Sequence, residues 1–160
     1  MSRKRNMPSR KEIFNFWNGK IKSVVNDNTC FKCGVTSILD KDIIIVDRAH
    51  ILAVCEGGSD DLDNLHLLCR RCHRDSEVYS GKEYNLWFLS KDREQFSKCL
   101  FVLWHKGQLK NTGLNKYFNN LKLDYINKYG QIWYDSVIYG YEQENKNVLD
   151  FYKKEELYYQ

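Results

Sequence analysis

Apolar residues recur at helical spacing in the first part of the chain. Ser9 and Glu12 stand three residues apart, which predicts a capping box in which each side chain binds the other's backbone amide. An apolar stripe follows at intervals of four, four and three: Ile13, Trp17, Ile21 and Val24. This stripe predicts one apolar helix face that packs on the cysteine-bearing segment that follows, with the helix ending near residues 26–28.

The middle of the chain changes to a pattern typical of strands and turns. Residues 43–46 are all β-branched and predict a strand, which residues 47–52 either continue or follow as its hairpin partner. The adjacent Gly57 and Gly58 predict a loop over residues 56–61. A helix is expected from Cys69 to about Tyr79, ended by the Ser-Gly pair at 80–81.

Beyond residue 81 the apolar spacing is helical. The predicted faces are Phe96, Leu100, Leu103 and Trp104; Leu114, Phe118, Leu121 and Tyr125; Ile132, Trp133, Val137 and Tyr141; and Leu149, Tyr152 and Leu157. Residues 90–92 can cap the first of these helices, and Gly107 and Gly130 can end the first two. The chain therefore predicts three regions in an α+β protein: a basic arm and helix (1–28), a central core (29–80) and an α-rich region (81–160).

Composition and charge set the class of protein. With 160 residues, 42% of them hydrophobic and 14% aromatic, the chain fits one domain or a small domain with an extension. No apolar run approaches the roughly 18 residues of a membrane span, and the basic N-terminus lacks an apolar signal segment. We therefore expect a cytoplasmic protein. The net charge of +4 allows a nucleic-acid partner without requiring one.

The cysteine spacing indicates a metal site. Cys30 and Cys33 form one C-x2-C pair, and Cys69 and Cys72 form a second. In a reducing compartment such pairs bind metal more often than they form disulfides, and four thiolates suit tetrahedral structural zinc. A closed four-cysteine site leaves no position for water, so this zinc is not the catalyst. The remaining cysteines, at 55 and 99, are expected to be small buried hydrophobic residues.

The segment between the two pairs carries further chemistry. Its motif residues, in chain order, are Arg48, Ala49, His50 and Ile51, then Gly57, Gly58, Ser59 and Asp60, then Asn64 and Leu65, and finally Leu68, Cys69, Cys72 and His73. In order and spacing this set resembles the HNH endonucleases, also called ββα-metal nucleases. The resemblance covers about residues 29–78 and implies a zinc-stapled ββα-metal (HNH) core with α-helical additions at both ends.

The resemblance implies roles for three residues. His50 takes the position of the general base, because a neutral imidazole near pH 7 can accept a proton from water. Asn64 takes the position of the residue that holds the histidine strand against the loop. His73 takes the position of the helix-borne ligand of a catalytic divalent ion. His66 and the histidine at 105 match nothing in the family and are expected to be structural.

The chain departs from the family pattern directly before the general base. Many relatives carry a metal-binding Asp or His at that position, and here Ala49 stands there. On a strand, Asp47 points to the same face as Ala49 and could replace the missing ligand. On the helix, Glu77 follows His73 by four residues and is a second candidate. Such oxygen-rich ligation suits Mg²⁺ or Mn²⁺, and Ni²⁺ or Zn²⁺ would also be tolerated.

Basic residues suggest where DNA would bind. Four arginines flank the expected site, at positions that can clamp phosphates or simply be solvated: Arg48, Arg70, Arg71 and Arg74. Six lysines of the C-terminal half form a second candidate surface, which is either a solvated face or a DNA-facing one: Lys98, Lys106, Lys110, Lys116, Lys122 and Lys128.

These features predict a metal-dependent endonuclease that hydrolyses DNA phosphodiester bonds. A type II restriction enzyme is the first interpretation, and it would act on double-stranded DNA as a homodimer, since two strands need two active sites. A monomeric nicking or homing-type nuclease is the alternative within the class. A non-catalytic zinc module that binds DNA, favoured by Ala49, and an RNA-cleaving toxin stay open. We expect a prokaryotic or phage-encoded protein.

Overall fold

A computed structural model describes residues 5–21, 24–36, 46–109 and 112–153 of the chain. The strands are β1 (Val46–His50) and β2 (Leu65–Cys69), and the helices are α1 (Arg10–Trp17), α2 (Arg70–Ser76), α3 (Lys82–Leu89), α4 (Arg93–His105), α5 (Asn115–Tyr129), α6 (Gln131–Glu144) and α7 (Lys146–Lys153). The described residues up to Phe88 form one compact unit, and those from Leu89 form a second. The protein is therefore α+β, as predicted. In the described part of the chain, no helix is both long and apolar enough to span a membrane.

The two strands form an antiparallel sheet at the centre of the first unit. Val46 lies opposite Cys69 and His50 lies opposite Leu65. All five residues of β2 are buried, whereas β1 exposes its second and third residues. The buried strand β2 therefore holds β1 against the core, while Asp47 and Arg48 of β1 point to solvent.

Helix α1 packs on β2 through a buried tryptophan. The Trp17 indole Nε1 donates to the carbonyl of Leu65 at 2.6 Å and to that of Leu62 at 3.2 Å. Ser9 and Glu12 form the predicted capping box, with Glu12 Oε2 accepting from the Ser9 amide at 2.7 Å. The first helix therefore packs on the unit that carries the cysteine pairs, as predicted, and it does so through a strand that was not predicted.

A cluster of aromatic and aliphatic side chains forms the core of the second unit. The Phe101 ring stacks on Trp104 with centroids 5.8 Å apart and contacts Phe118 at 5.4 Å. Tyr134 is fully buried, and burial raises its pKa to about 12. Its hydroxyl lies 2.9 Å from His105 Nδ1. His105 thus contacts the core of this unit through Tyr134, and its structural role stays a prediction.

Several predicted boundaries were wrong. Helix α1 ends at Trp17 because Asn18 leaves the helical conformation and Gly19 adopts φ +82°, although Ile21 and Val24 are still buried. The partner of β1 is β2, and the hairpin-partner alternative for residues 47–52 was wrong. The run at 43–45, like Leu157, lies outside the described residues. Helix α2 ends at Ser76, three residues before the predicted end.

Two further predictions about burial were wrong. On α6 the buried residues are Tyr134 and Ile138, while Ile132 is 84% exposed. The buried face is therefore rotated about the helix axis from the predicted one. Cys55 is exposed, in the short 3-10 turn Val54–Glu56 that precedes the glycine loop. Cys99 is buried as predicted, and burial raises the pKa of its thiol to about 12.

The Trp17 contact gives a test of the fold. We expect Trp17→Phe to lower the free energy of unfolding by about 1–3 kcal/mol, because it leaves buried backbone carbonyls without their donor. Urea denaturation would measure the change. Trp133→Phe, at a 38% exposed tryptophan of α6, is the matched control and should change stability by less than about 1 kcal/mol. Equal effects of the two substitutions would contradict this packing role.

Candidate metal centre and active site

The four cysteines of the two pairs converge in the first unit. The thiol sulfurs of Cys30, Cys33, Cys69 and Cys72 all lie within 4.8 Å of one another. Sulfurs bound tetrahedrally to one zinc at about 2.3 Å would be about 3.8 Å apart. The Sγ atoms of Cys33 and Cys69 are 3.8 Å apart, so the donor set and its spacing fit a zinc ion.

Backbone contacts explain why these thiols meet. The Cys30 amide donates to the Val35 carbonyl at 2.9 Å, and the Gly34 amide, at φ +74°, donates back to the Cys30 carbonyl at 2.9 Å. The next amide, that of Phe31, donates to Leu67 of β2 at 2.8 Å. The first pair therefore sits on a tight turn that is fastened to the strand from which the second pair follows.

The thiols are electrostatically prepared for a cation. A hydrogen bond from the Cys72 side chain, with further bonds from backbone amides, lowers the pKa of Cys30 to about 4. The same pairing with Cys30 raises the pKa of Cys72, and burial raises that of Cys33. The hydrogen bonds thus favour ionisation of Cys30, whereas burial and the neighbouring sulfurs oppose ionisation of Cys33 and Cys72.

Asp47 and His73 meet beside this cluster. Asp47 is the second residue of β1, and His73 directly follows Cys72 on α2. His73 Nδ1 lies 3.7 Å from Asp47 Oδ2, and their side chains are 30% and 51% exposed. Two atoms that bind one small divalent ion at about 2.1 Å lie roughly 3–4 Å apart. The pair can therefore hold one ion at an accessible position, with water or substrate completing the coordination.

His50 closes β1 and faces an acid of the following loop. Its Nε2 lies 2.8 Å from Asp60 Oδ1, and the two side chains are only 20% and 24% exposed. The other oxygen of Asp60 lies 3.4 Å from Arg5 Nε, in the basic arm before α1. An arginine of the arm, a loop carboxylate and the strand histidine thus form one chain of polar contacts.

Asn64 fastens the glycine loop to the chain that leaves His50. Its Oδ1 accepts from the Leu52 amide at 2.8 Å, and its Nδ2 donates to the carbonyls of Leu52 at 3.0 Å and Ser59 at 2.8 Å. A Cβ atom on Gly58 would lie 1.8 Å from the Leu52 carbonyl oxygen, so only glycine fits there. Asn64 has the contacts of an orienting residue, and its catalytic assignment stays a prediction.

Ala49, where the family ligand is missing, and Glu77, a candidate replacement, lie in different environments. Ala49 is buried, 2% exposed, opposite His66 on β2. Glu77 is exposed and forms the C-cap of α2. Among the residues that the structure describes, the four cysteines are the one group of three or more potential ligands close enough to share an ion. Glu77 therefore does not join Asp47 and His73 in this conformation, and its role as a ligand stays a prediction.

His66 belongs to the core, as the sequence analysis expected. Its ring contacts Trp17 at 4.8 Å and Phe88 at 4.4 Å between centroids, and Nδ1 lies 2.9 Å from the Tyr84 hydroxyl. Burial lowers its pKa to about 3, which keeps the ring neutral. The two histidines that face solvent in this unit are His50 and His73, within the described residues.

The four candidate phosphate-binding arginines are all exposed: Arg48 on β1 and Arg70, Arg71 and Arg74 on α2. They lie on the same two elements that carry Asp47 and His73. Arg5 and Asp60 were not predicted to belong to the site. Arg5 lies in a basic arm, and Asp60 appeared only as part of the glycine-loop motif, without a role of its own. The path of the loop brings both residues to His50.

Comparison with known proteins identifies the class of this segment. A family model described as HNH endonuclease matches residues 30–77, from the first cysteine to Glu77. The central segment therefore combines this family match with a four-cysteine cluster suited to zinc, and it makes up less than a third of the chain. Comparisons of the whole chain with curated proteins and with solved structures gave no significant match.

The cysteine cluster yields a direct prediction. Purified protein should carry close to one zinc per chain, and Cys69→Ser should lose it together with several kcal/mol of stability, because structural zinc contributes directly to folding. Zinc content by atomic emission and thermal unfolding would measure both. Cys55→Ser, at an exposed cysteine outside the cluster, is the control and should keep the metal. Retention of full zinc by Cys69→Ser would refute the four-thiolate site.

Proposed function

We propose that the protein is a metal-dependent endonuclease that hydrolyses phosphodiester bonds of double-stranded DNA. The observation that carries the proposal is the contact between Asp47 of β1 and His73 of α2, with His50 at the end of the same strand as Asp47. An HNH domain supplies the class, and this arrangement supplies the groups that the reaction needs. Hydrolysis needs a base for water, a cationic site for the phosphate and help for the leaving oxygen.

His50 is the proposed general base. Its side chain is partly exposed at the end of β1, so water can reach the ring. Asn64 holds the backbone after His50, which fixes where the ring stands relative to α2. The proton of the attacking water passes to the imidazole, and the resulting hydroxide attacks phosphorus.

Asp47 and His73 are the proposed ligands of the catalytic ion, with Glu77 a further candidate. A Mg²⁺ or Mn²⁺ ion bound there would neutralise the scissile phosphate and stabilise the leaving 3′ oxygen. Two protein ligands suffice for such an ion, because Mg²⁺ usually keeps several waters and takes further oxygens from substrate phosphate. Asp47 would thereby replace the ligand that Ala49 cannot provide.

The arginines of β1 and α2 are the proposed phosphate clamps around the cut. The lysine surface of the second unit contributes less than its sequence suggested. Lys98 pairs with Glu94 at 3.0 Å and Glu144 at 3.4 Å, and Lys106 pairs with Glu142. Lys110 lies outside the described residues. A DNA-facing role is therefore best supported for the lysines of α5: Lys116, Lys122 and Lys128.

Within this class we propose a type II restriction endonuclease that acts as a homodimer. A monomeric nicking or homing-type nuclease uses the same active site and differs in the product. A non-catalytic DNA-binding module is favoured only by Ala49. The contact between Asp47 and His73 argues against that alternative, because it offers an ion-binding pair without a ligand at Ala49.

Plasmid cleavage tests the activity. With Mg²⁺ or Mn²⁺ the protein should cut supercoiled plasmid, and EDTA should stop the reaction. His50→Ala should slow cleavage by about 10²–10⁴-fold, the usual contribution of a general base. Discrete fragments would support a restriction endonuclease, whereas nicked circles alone would support the alternative, a nicking enzyme. DNA binding without cleavage in any metal would overturn the catalytic proposal.

The ligand assignment has its own test. Asp47→Asn and His73→Ala should raise the Mn²⁺ concentration needed for half-maximal cleavage, because each removes one ligand. Asp27→Asn, at a carboxylate in the turn before the first cysteine pair, is the matched control and should leave the metal dependence unchanged. An unchanged Mn²⁺ requirement in Asp47→Asn would remove Asp47 from the ion.

The arginines are tested by the salt dependence of binding. Each phosphate contact contributes about −0.9 to the slope of log affinity against log salt concentration. Arg74→Gln should therefore reduce the slope by about one and weaken binding equally for unrelated DNA sequences. Arg10→Gln, at the exposed start of α1, should change neither. Fluorescence anisotropy across a salt series would decide, and an unchanged slope in Arg74→Gln would exclude it as a clamp.

A further inference from the structure

The proposed general base contacts an acid of the glycine loop, Asp60. Asp60 Oδ1 lies 2.8 Å from His50 Nε2, a good hydrogen-bond distance, and both side chains are about four-fifths buried. The second oxygen, Oδ2, lies 3.4 Å from Arg5 Nε. The carboxylate is therefore held on both sides, by the arm before α1 and by the histidine that ends β1.

The loop that carries Asp60 is fixed by its own backbone. Asn64 Nδ2 donates to the carbonyl of Ser59, the residue before Asp60, at 2.8 Å. Ser59 Oγ in turn accepts from the amide of Asp61 at 3.3 Å. The Gly58 backbone approaches Leu52 too closely for any side chain. Residues on both sides of Asp60 are thus anchored, which holds its carboxylate at the imidazole.

The chemistry of the contact determines the tautomer of the ring. An ionised carboxylate only accepts hydrogen bonds, so His50 Nε2 must carry the proton in this contact. A neutral imidazole has one N–H, and its other nitrogen then holds a free lone pair. The nitrogen left to accept a proton is Nδ1. After it accepts one, the positive ring lies against a negative carboxylate, which favours the transfer.

We propose that Asp60 is a positioning residue for His50, holding the proton on Nε2 so that Nδ1 receives the proton of the attacking water, and that Arg5 holds Asp60 in place. In this step the water O–H bond breaks and its proton bonds to Nδ1. The hydroxide electron pair forms the new bond to phosphorus as the bond to the leaving 3′ oxygen breaks. The catalytic part of this proposal rests on the proposed function, whereas the tautomer of His50 does not.

Nitrogen-15 NMR of the full-length, zinc-loaded protein tests the tautomer without any substrate. In its neutral form, His50 should show a proton on Nε2 that exchanges slowly enough to be observed, and an unprotonated Nδ1. His50→Ala assigns the signals. Asp60→Asn should lose the slow exchange and the single tautomer, because an amide can donate or accept. Asp61→Asn, at the exposed neighbouring acid, should keep both.

Kinetics test the consequence for cleavage. Asp60→Asn should lower kcat by about 100-fold with KM changed less than about twofold, since a fixed base acts on the chemical step. Arg5→Gln should lower kcat less, and Asp61→Asn should match the wild type. Zinc content and thermal unfolding of each variant separate this effect from loss of fold.

The outcomes separate this inference from the proposed function. A proton on Nδ1 of wild-type His50, or a wild-type kcat in Asp60→Asn, would overturn the role of Asp60 while leaving the nuclease intact. If the wild type cleaves no DNA, the proposed function fails, and the NMR result alone then decides whether Asp60 fixes the ring. The wild-type spectrum needs no variant, so it tests the claim even if Asp60→Asn does not fold.

Discussion

The convergence of four thiols is the constraint on which the first unit depends. It joins the turn at Cys30 and Cys33 to the junction where β2 becomes α2, and the Phe31 amide fastens the same turn to β2. His73 follows the last of these cysteines by one residue. The position of the proposed helix ligand is therefore set by the cysteine cluster, and a metal in that cluster would act on the chemistry only through this placement.

The strand side of the site is set by a different constraint. Pairing with the fully buried β2 fixes β1, which carries Asp47 near its start and His50 at its end. Asn64 and the close approach at Gly58 then lead the chain back past the histidine. The proposed ion-binding pair and the proposed base therefore lie on one short sheet and one short helix, as positioning of catalytic groups by regular elements requires.

Sequence reasoning succeeded where the chemistry is encoded by short spacing. The C-x2-C pairs identified the thiol cluster, and the capping box and apolar stripe identified α1 and its packing on the cysteine-bearing unit. Alternation along a strand suggested Asp47, which does lie beside His73.

The buried face of α6 was predicted wrongly. Its buried residues are Tyr134 and Ile138, and aromatic residues on both sides of the helix left the apolar spacing without one preferred face. Strand β2 was missed because its Leu-rich, fully buried sequence does not alternate. The contact of Asp60 with His50 depends on the path of a loop, which local spacing does not determine.

Asp47 and His73 are the proposed ligands of a divalent ion separate from the cysteine cluster. Electron paramagnetic resonance of Mn²⁺ titrated into the zinc-loaded protein tests this proposal. We expect one bound Mn²⁺ per chain without loss of zinc, binding that is weakened at least about tenfold by His73→Ala, and unchanged binding in His50→Ala. Mn²⁺ binding that His73→Ala leaves intact, or that occurs only as zinc is displaced, would contradict it.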